Sequence, residues 1–226
     1  MDPSVLTVYK SPFPKIRLGN DHDGGYVIAD VPTAEYKLLL SAGIGNDLSF
    51  ELAFLDKYPD VKCIAYDGSI DSLPANDTPI QFVHKYIGTE NTENTVTLHV
   101  LLTMNHHIFL KMDIEGHELA WIKSLHETQL DSIDQIVIEF HTPFSENDLF
   151  NKINKSHVLI HFHGNNVAGT RCHKDVIIPN IFECTYLHKK FFQSAPELNT
   201  DLIPSELDSS NVGGRDIDIY YPPFVN

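Results

Sequence analysis

Residues 38–51, Leu-Leu-Leu-Ser-Ala-Gly-Ile-Gly-Asn-Asp-Leu-Ser-Phe-Glu, constrain this chain most, because an apolar run breaks into a glycine turn and continues as a helix. Leu38 to Ser41 has the length and composition of a strand buried on both faces. Gly43 and Gly45 permit a sharp turn and a close approach of backbone to ligand. Leu48, Leu52 and Leu55 then recur at helical spacing, with Asp47 placed to cap the helix and Pro59 to end it. A second apolar run, Val61 to Tyr66, ends at Asp67. A glycine turn after one strand, with an acid closing the next, is how α/β proteins hold an adenine nucleoside, the acid taking the ribose hydroxyls. A dinucleotide fingerprint would have a third glycine where Leu48 stands, so the pattern favours a phosphate-free donor such as S-adenosylmethionine. A nicotinamide-dependent oxidoreductase and a non-catalytic binding module on the same scaffold are the alternatives.

The remaining runs repeat the alternation of strand and helix. Strands are predicted over 81–87, ending at Gly88 beside the adenine pocket, and over 108–113, 133–140, 158–162 and 181–187. Helices are predicted over 115–125 and 147–153, a short strand or helix over 96–102, and a polar loop over 164–176. The expected fold is a single α/β domain, residues 1–226, with a doubly wound, mostly parallel seven-stranded sheet and an antiparallel last strand at its end. Residues 1–36 form a lead-in whose Asp23-Gly24-Gly25 signals a hairpin. That hairpin either caps the sheet edge or acts as a cofactor lid, with Arg17 taking the carboxylate of the donor. Residues 191–226 read as a tail wrapping the surface.

Lysine and arginine number 16 against 31 acids, a formal charge of -15, which repels nucleic acid and anionic membrane. No run approaches the roughly 20 apolar residues of a membrane span. The odd set Cys63, Cys172 and Cys184 reads as free thiols, and the expectation is a soluble, cytoplasmic protein.

Three strands end in polar pairs two residues apart: Asp113 with Glu115, Glu139 with His141, and His161 with His163. Side chains at i and i+2 share a face, so each pair can project into the crevice at the strand ends. Methyl transfer from a sulfonium needs an acceptor held in line and, for a hydroxyl, a group to take its proton. Asp113, Glu115, His141 and His163 are the catalytic candidates. Asp113, Glu139 and His141 could instead hold a divalent ion, magnesium or manganese by the oxygen-rich donor set. No cysteine spacing supports a structural zinc site.

Asp23-Gly24-Gly25-Tyr26, Ser41 to Asp47 with Ser49-Phe50-Glu51, Lys111 to Gly116 with Glu118, Glu139-Phe140-His141, and His161 to Asn166, in that order, resemble the FkbM-type methyltransferase family. Asp208 to Asn211 and Asp216-Ile217 look like the closing segment of that family. The resemblance implies a Rossmann-like methyltransferase fold that uses S-adenosylmethionine to methylate an oxygen, commonly on a sugar or natural product. By this resemblance Ser41, Gly43, Asn46, Asp47 and Glu51 line the methionine end and Asp67 the ribose, with Gly45 of the glycine turn as a further donor-binding candidate. Lys111, Asp113 and Glu115 then lie under the methyl, and His141, His163 and Asn165 face a small-molecule or glycan acceptor, with His161 and Asn166 as further substrate-binding candidates. Aromatics such as Tyr186, Phe191, Phe192, Tyr220 and Tyr221 offer faces on which a sugar could stack.

Overall fold

A computed structural model describes all 226 residues. The chain opens with the strands β1 (Lys15–Gly19) and β2 (Gly25–Ala29), then runs through β3 (Leu38–Ala42), α1 (Ser49–Lys57), β4 (Lys62–Tyr66) and β5 (Ile80–Val83). Two short strands, β6 (Tyr86–Ile87) and β7 (Thr95–Val96), precede α2 (His99–Met104), β8 (Ile108–Met112), α3 (Glu118–Ser124), α4 (Glu127–Leu130) and β9 (Ile133–His141). The chain continues as α5 (Asn147–Ser156), β10 (His157–Gly164), β11 (Thr170–His173), β12 (Val176–Pro179) and β13 (Ile181–His188).

Seven strands form one sheet in the order β10-β13-β9-β8-β3-β4-β5, and β9, β8, β3, β4 and β5 run parallel. Helical crossovers cover both faces, so β3 and β8 are buried at every residue, as their unbroken apolar runs require. Strand β13 is antiparallel as expected but does not lie at the end of the sheet. It inserts between β9 and β10, because the β11–β12 hairpin turns the chain back and both faces of β13 need cover. Phe182, Cys184 and Tyr186 point to one side of it, and Glu183 and Thr185 to the other.

Three local expectations are revised by tertiary packing. The predicted strand 81–87 divides into β5 and β6, which belongs to a separate two-stranded sheet with β7. The polar stretch 164–176 contains β11 and the start of the β11–β12 hairpin. Hairpin β1–β2 forms, but across a face of the main sheet instead of at its edge, since all five residues of β2 are buried. Its docking is polar as well as apolar: Thr185 Oγ1 donates to Val27 O, and the Gln135 amide both accepts from Ala29 N (2.7 Å) and donates to Ala29 O (3.2 Å).

On the hairpin side, Phe50 and Phe54 of α1 meet Tyr36 and Phe109, with the Phe54 and Phe109 centroids 4.6 Å apart. The opposite face packs Leu40, Leu110, Ile138, Phe140 and Tyr186 against Trp121 of α3 and Phe150 of α5. In the tail, bridges join Tyr9 to Leu198 and Ile203 to Ile219, and the Phe224 ring lies tilted against Phe162 with centroids 4.5 Å apart. Cys63 and Cys184 are buried and Cys172 is exposed, all three as free thiols. No helix is long and apolar enough to cross a membrane.

Phe54 is fully buried among aromatic rings, so Phe54→Ala should lower unfolding free energy by about 3–5 kcal/mol. Denaturant titration checks this, and a loss below about 1 kcal/mol would contradict the packing described.

Candidate functional site

The glycine turn joins β3 to α1 at the carboxyl ends of the parallel strands. Gly43 has φ of 77°, and a Cβ there would lie 1.6 Å from Asp113 O, so only glycine lets β3 leave the sheet beneath the loop after β8. Asp67 fixes the turn from the end of β4. Its Oδ2 accepts from Ile44 N and Gly45 N (both 2.9 Å), while Oδ1 accepts from Ser69 N (2.7 Å) and Ser69 Oγ (2.6 Å). Burial raises its carboxyl and these bonds outweigh that, leaving it below the usual range. The expected ribose-binding role needs correcting, because four protein donors already occupy the two oxygens and Asp67 instead shapes the turn.

Above the turn lies a cleft of about 570 Å³. Its lining brings together Gly43, Gly45, Asn46, Asp47 and Glu51 from the turn and α1, Tyr66, Asp67, Ser69, Tyr86 and Ile87 from the end of β4 and from β6, and Asp23, Tyr26, Lys111, Asp113 and Glu115 from the hairpin and the end of β8. Ser41 is buried just beneath, donating to Glu51 Oε1 at 2.5 Å, which leaves Glu51 Oε2 without a partner. Arg17 and Gly88 do not line the cleft, contrary to expectation. Nη2 of Arg17 turns away to the carbonyls of Asn20 (3.1 Å) and His22 (2.8 Å), and Gly88, one residue past the part of β6 that lines the cleft, donates to Val96 O (3.0 Å) instead.

Two of the three polar pairs converge. Ligand atoms of Asp113, Glu139 and His141 all lie within 4.8 Å of one another. Tyr26 donates to Asp113 Oδ2 (3.2 Å), whereas Asp113 Oδ1 is buried with no partner. Lys111 Nζ donates to Gly43 O and lies 5.4 Å from the Tyr26 ring centre. Burial pushes the Asp113 carboxyl up, against the opposing pull of Lys111. Burial and the nearby charges of Asp113 and Glu183 drive Glu139 up to about 9.

Three carboxylates surround the His141 ring, which lies 3.1 Å from Glu118 at Nδ1 and 3.3 and 3.4 Å from Glu115 and Glu139 at Nε2. Burial opposes its charge, but the Glu118 hydrogen bond and the surrounding anions raise it to about 9. Glu118, fully buried, also accepts from the backbone of His141 and Gly116 (both 2.8 Å), and so holds the ring. The left-handed turn at Glu115 (φ 54°) and Gly116 (φ 94°) lets it reach back. The sequence motif assigns Glu118 no role, and its place at the first turn of α3 is the signal for one.

The third pair is turned away from the open cleft. His161 and His163 are buried beneath the tail, 2.8 Å from Asp208 and 2.9 Å from Asp216 respectively. Asn166 is likewise engaged, donating to Val212 O (3.0 Å) and accepting from Val212 N (3.0 Å). Asn165 supports Glu139 with a bond of 2.8 Å. Tyr186 is fully buried and offers no face to a sugar.

The profile of the methyltransferase FkbM domain matches residues 12–165. This chain belongs to the FkbM methyltransferase family. Membership carries use of S-adenosylmethionine, and the cleft fits that donor: glycine backbone at Gly43 and Gly45 lies open beneath it, and two buried carboxylate oxygens await positive or donor groups. No curated protein matches at a significant level. Solved structures similar to this FkbM chain include TrmN from Thermus thermophilus (TM-score 0.37, 10% identity), where the match covers 67% of this chain and 44% of that one. Others are the antibiotic-resistance methyltransferase Kmr (0.37, 8%, covering 76% and 100%) and a mutant 16S rRNA (adenine(1408)-N(1))-methyltransferase from Catenulisporales acidiphilia (0.33, 7%, covering 77% and 98%). The chain thus spans less than half the length of TrmN.

Two outcomes follow from the geometry. Gly43→Ala should abolish donor binding in calorimetry, and wild-type affinity would refute the tight turn. Burial opposes a charge on His163, yet the hydrogen bond to Asp216 and the Glu183 carboxylate 3.5 Å from Nδ1 raise it from 6.5 to about 10. Its raised value stabilises the fold fully below pH 6.5, and that contribution is lost as pH rises through about 10. Urea unfolding across this window should show a falling stability that His163→Gln flattens, and an unchanged slope in the variant would assign the fall elsewhere.

Proposed function

We propose that this FkbM protein is an O-methyltransferase acting on a sugar hydroxyl of a glycan or glycoside. The observation that carries the proposal is the meeting of Asp113, Glu139 and His141 within 4.8 Å beside the donor cleft. Such a cluster can hold an acceptor oxygen and receive its proton. The resemblance to a family that commonly methylates sugars supports the acceptor class. So do the carboxylates of Asp23, Asp113 and Glu115 at that end of the cleft, which suit an uncharged polyol and disfavour an anionic acceptor.

When bound, S-adenosylmethionine supplies the electrophilic methyl carbon. Asn46, Glu51 and the backbone of the glycine turn hold its amino-acid end, and Tyr66, Ser69, Tyr86 and Ile87 enclose the nucleoside. Asp113 stands beside the reacting centre, fixed by Tyr26. His141, oriented by Glu118 and raised to about 9, takes the hydroxyl proton at Nε2 only in the fraction of molecules in which the ring is neutral. That fraction grows as pH rises towards 9, and Glu115 and Glu139 favour the resulting cation. Charge stabilisation therefore comes from groups already in place.

A second role for the same cluster is favoured by its donor set. Asp113 Oδ1 is unpartnered, and two carboxylates with an imidazole fit a magnesium- or manganese-type ion. Such an ion would lower the pKa of a coordinated hydroxyl. Chelation separates the two: full turnover in excess EDTA removes the ion from the mechanism.

Calorimetry with S-adenosylmethionine is the first test, and absence of binding at millimolar donor would end the proposal. Transfer from isotopically labelled donor to a glycan panel, with the methylated atom located by NMR, then tests the acceptor. Asp113→Ala should reduce turnover by about 10²-fold or more. Methyl found on nitrogen, or turnover unchanged by that substitution, would refute the assignment.

A further inference from the structure

Six carboxylates line the cleft, Asp23, Asp47, Glu51, Asp67, Asp113 and Glu115, against two ammonium groups, Lys85 and Lys111. Most of these charges are committed within the protein. Asp67 is filled by loop donors, and Asp47 accepts from Ser49 N (2.7 Å) and Asn20 Nδ2 (3.1 Å). Lys85 donates to Thr92 O at 3.1 Å, and Lys111 is turned to Gly43 O, balancing only part of the Asp113 charge. Among the acids that line the cleft, buried oxygens without any partner remain on Glu51 and Asp113 alone.

Resting on the donor assignment above, we infer that this cleft separates the methyl donor from its demethylated product by charge, with Asp113 Oδ1 as the discriminating group. A buried, unpaired carboxylate oxygen is unfavourable until a donor or cation reaches it. S-adenosylmethionine brings two positive centres, the α-ammonium and the sulfonium. Its product, S-adenosylhomocysteine, keeps the first and has a neutral sulfide in place of the second. Glu51, bound to Ser41 beneath the glycine turn at the methionine end, therefore serves both molecules equally. Asp113, on the loop after β8 at the reacting end, contributes only while the sulfur is charged.

Transfer of the methyl group thus removes the charge that Asp113 holds, and the site loses its grip on what remains. The enzyme would clear its product readily and resist inhibition by it. Because these oxygens are buried, added salt should screen the preference little.

Calorimetry on the whole chain with three nucleosides tests this: S-adenosylmethionine, S-adenosylhomocysteine, and sinefungin, which carries an amine-bearing carbon where the sulfonium stands. The two cationic ligands should bind about tenfold or more tightly than the sulfide. Asp113→Asn should bring all three within about twofold by weakening the cationic pair, while Glu51→Gln should weaken all three alike. Equal affinities in the unaltered protein overturn the inference, and so does a preference that survives Asp113→Asn with thermal melting unchanged. The wild-type comparison decides the matter even if that variant fails to fold. Failure of all three to bind would instead refute the donor site on which the inference stands.

Discussion

Four hydrogen bonds to one carboxylate hold the donor side of this molecule together. Asp67 reaches from the end of β4 to the amides of Ile44 and Gly45 and to Ser69, so the turn after β3 and the loop after β4 share a single anchor. A glycine turn free of that anchor would sample many conformations, since glycine has the largest conformational freedom to lose. With it, the turn is set before any ligand arrives, and Ser41, Glu51 and Lys111 are built on a fixed backbone. Preorganisation of this kind limits the ordering cost of binding.

The acceptor side is organised differently, by chain that comes back from far along the sequence. The segment 208–216 caps three buried groups in turn: Asp208 meets His161, Asn211 meets Glu183 (2.9 Å), and Asp216 meets His163. It also grips the turn between β1 and β2, where Ser209 Oγ accepts from His22 N (3.0 Å) and Asn211 donates to Asp23 (3.2 Å). That turn in turn bonds to the start of α1 through Ser49 and Asp47. One continuous set of polar contacts therefore runs from the tail to the donor cradle.

Much of this was legible in the sequence because it is local. The strand, glycine turn and helix of residues 38–57 declare themselves by period and by φ requirements, and so do the parallel strands that end at Asp67 and Asp113. Convergence of Asp113 with Glu139 and His141 also follows from strands of one sheet ending at one level. What stayed hidden depends on distant partners. His161 and His163 read as free imidazoles until Asp208 and Asp216, 47 and 53 residues later, take them up. Arg17 looks available for the donor carboxylate, yet its Nη2 is turned to two carbonyls of its own turn and its Nε and Nη1 are buried without a partner, away from the cleft. Asp67 looks like a ribose acceptor because composition does not show how many amides converge on it.

The insertion of β13 between β9 and β10 bears on the order in which the protein can be assembled. Strand β10 emerges earlier in synthesis than β13, but its only pairing within the sheet is with β13. It must wait beside an incomplete sheet until the later strand docks on β9, and the segment 208–216 can close over both only after that. The five parallel strands can meanwhile settle, so a nascent chain would acquire its nucleoside cradle first and the polar floor opposite it last.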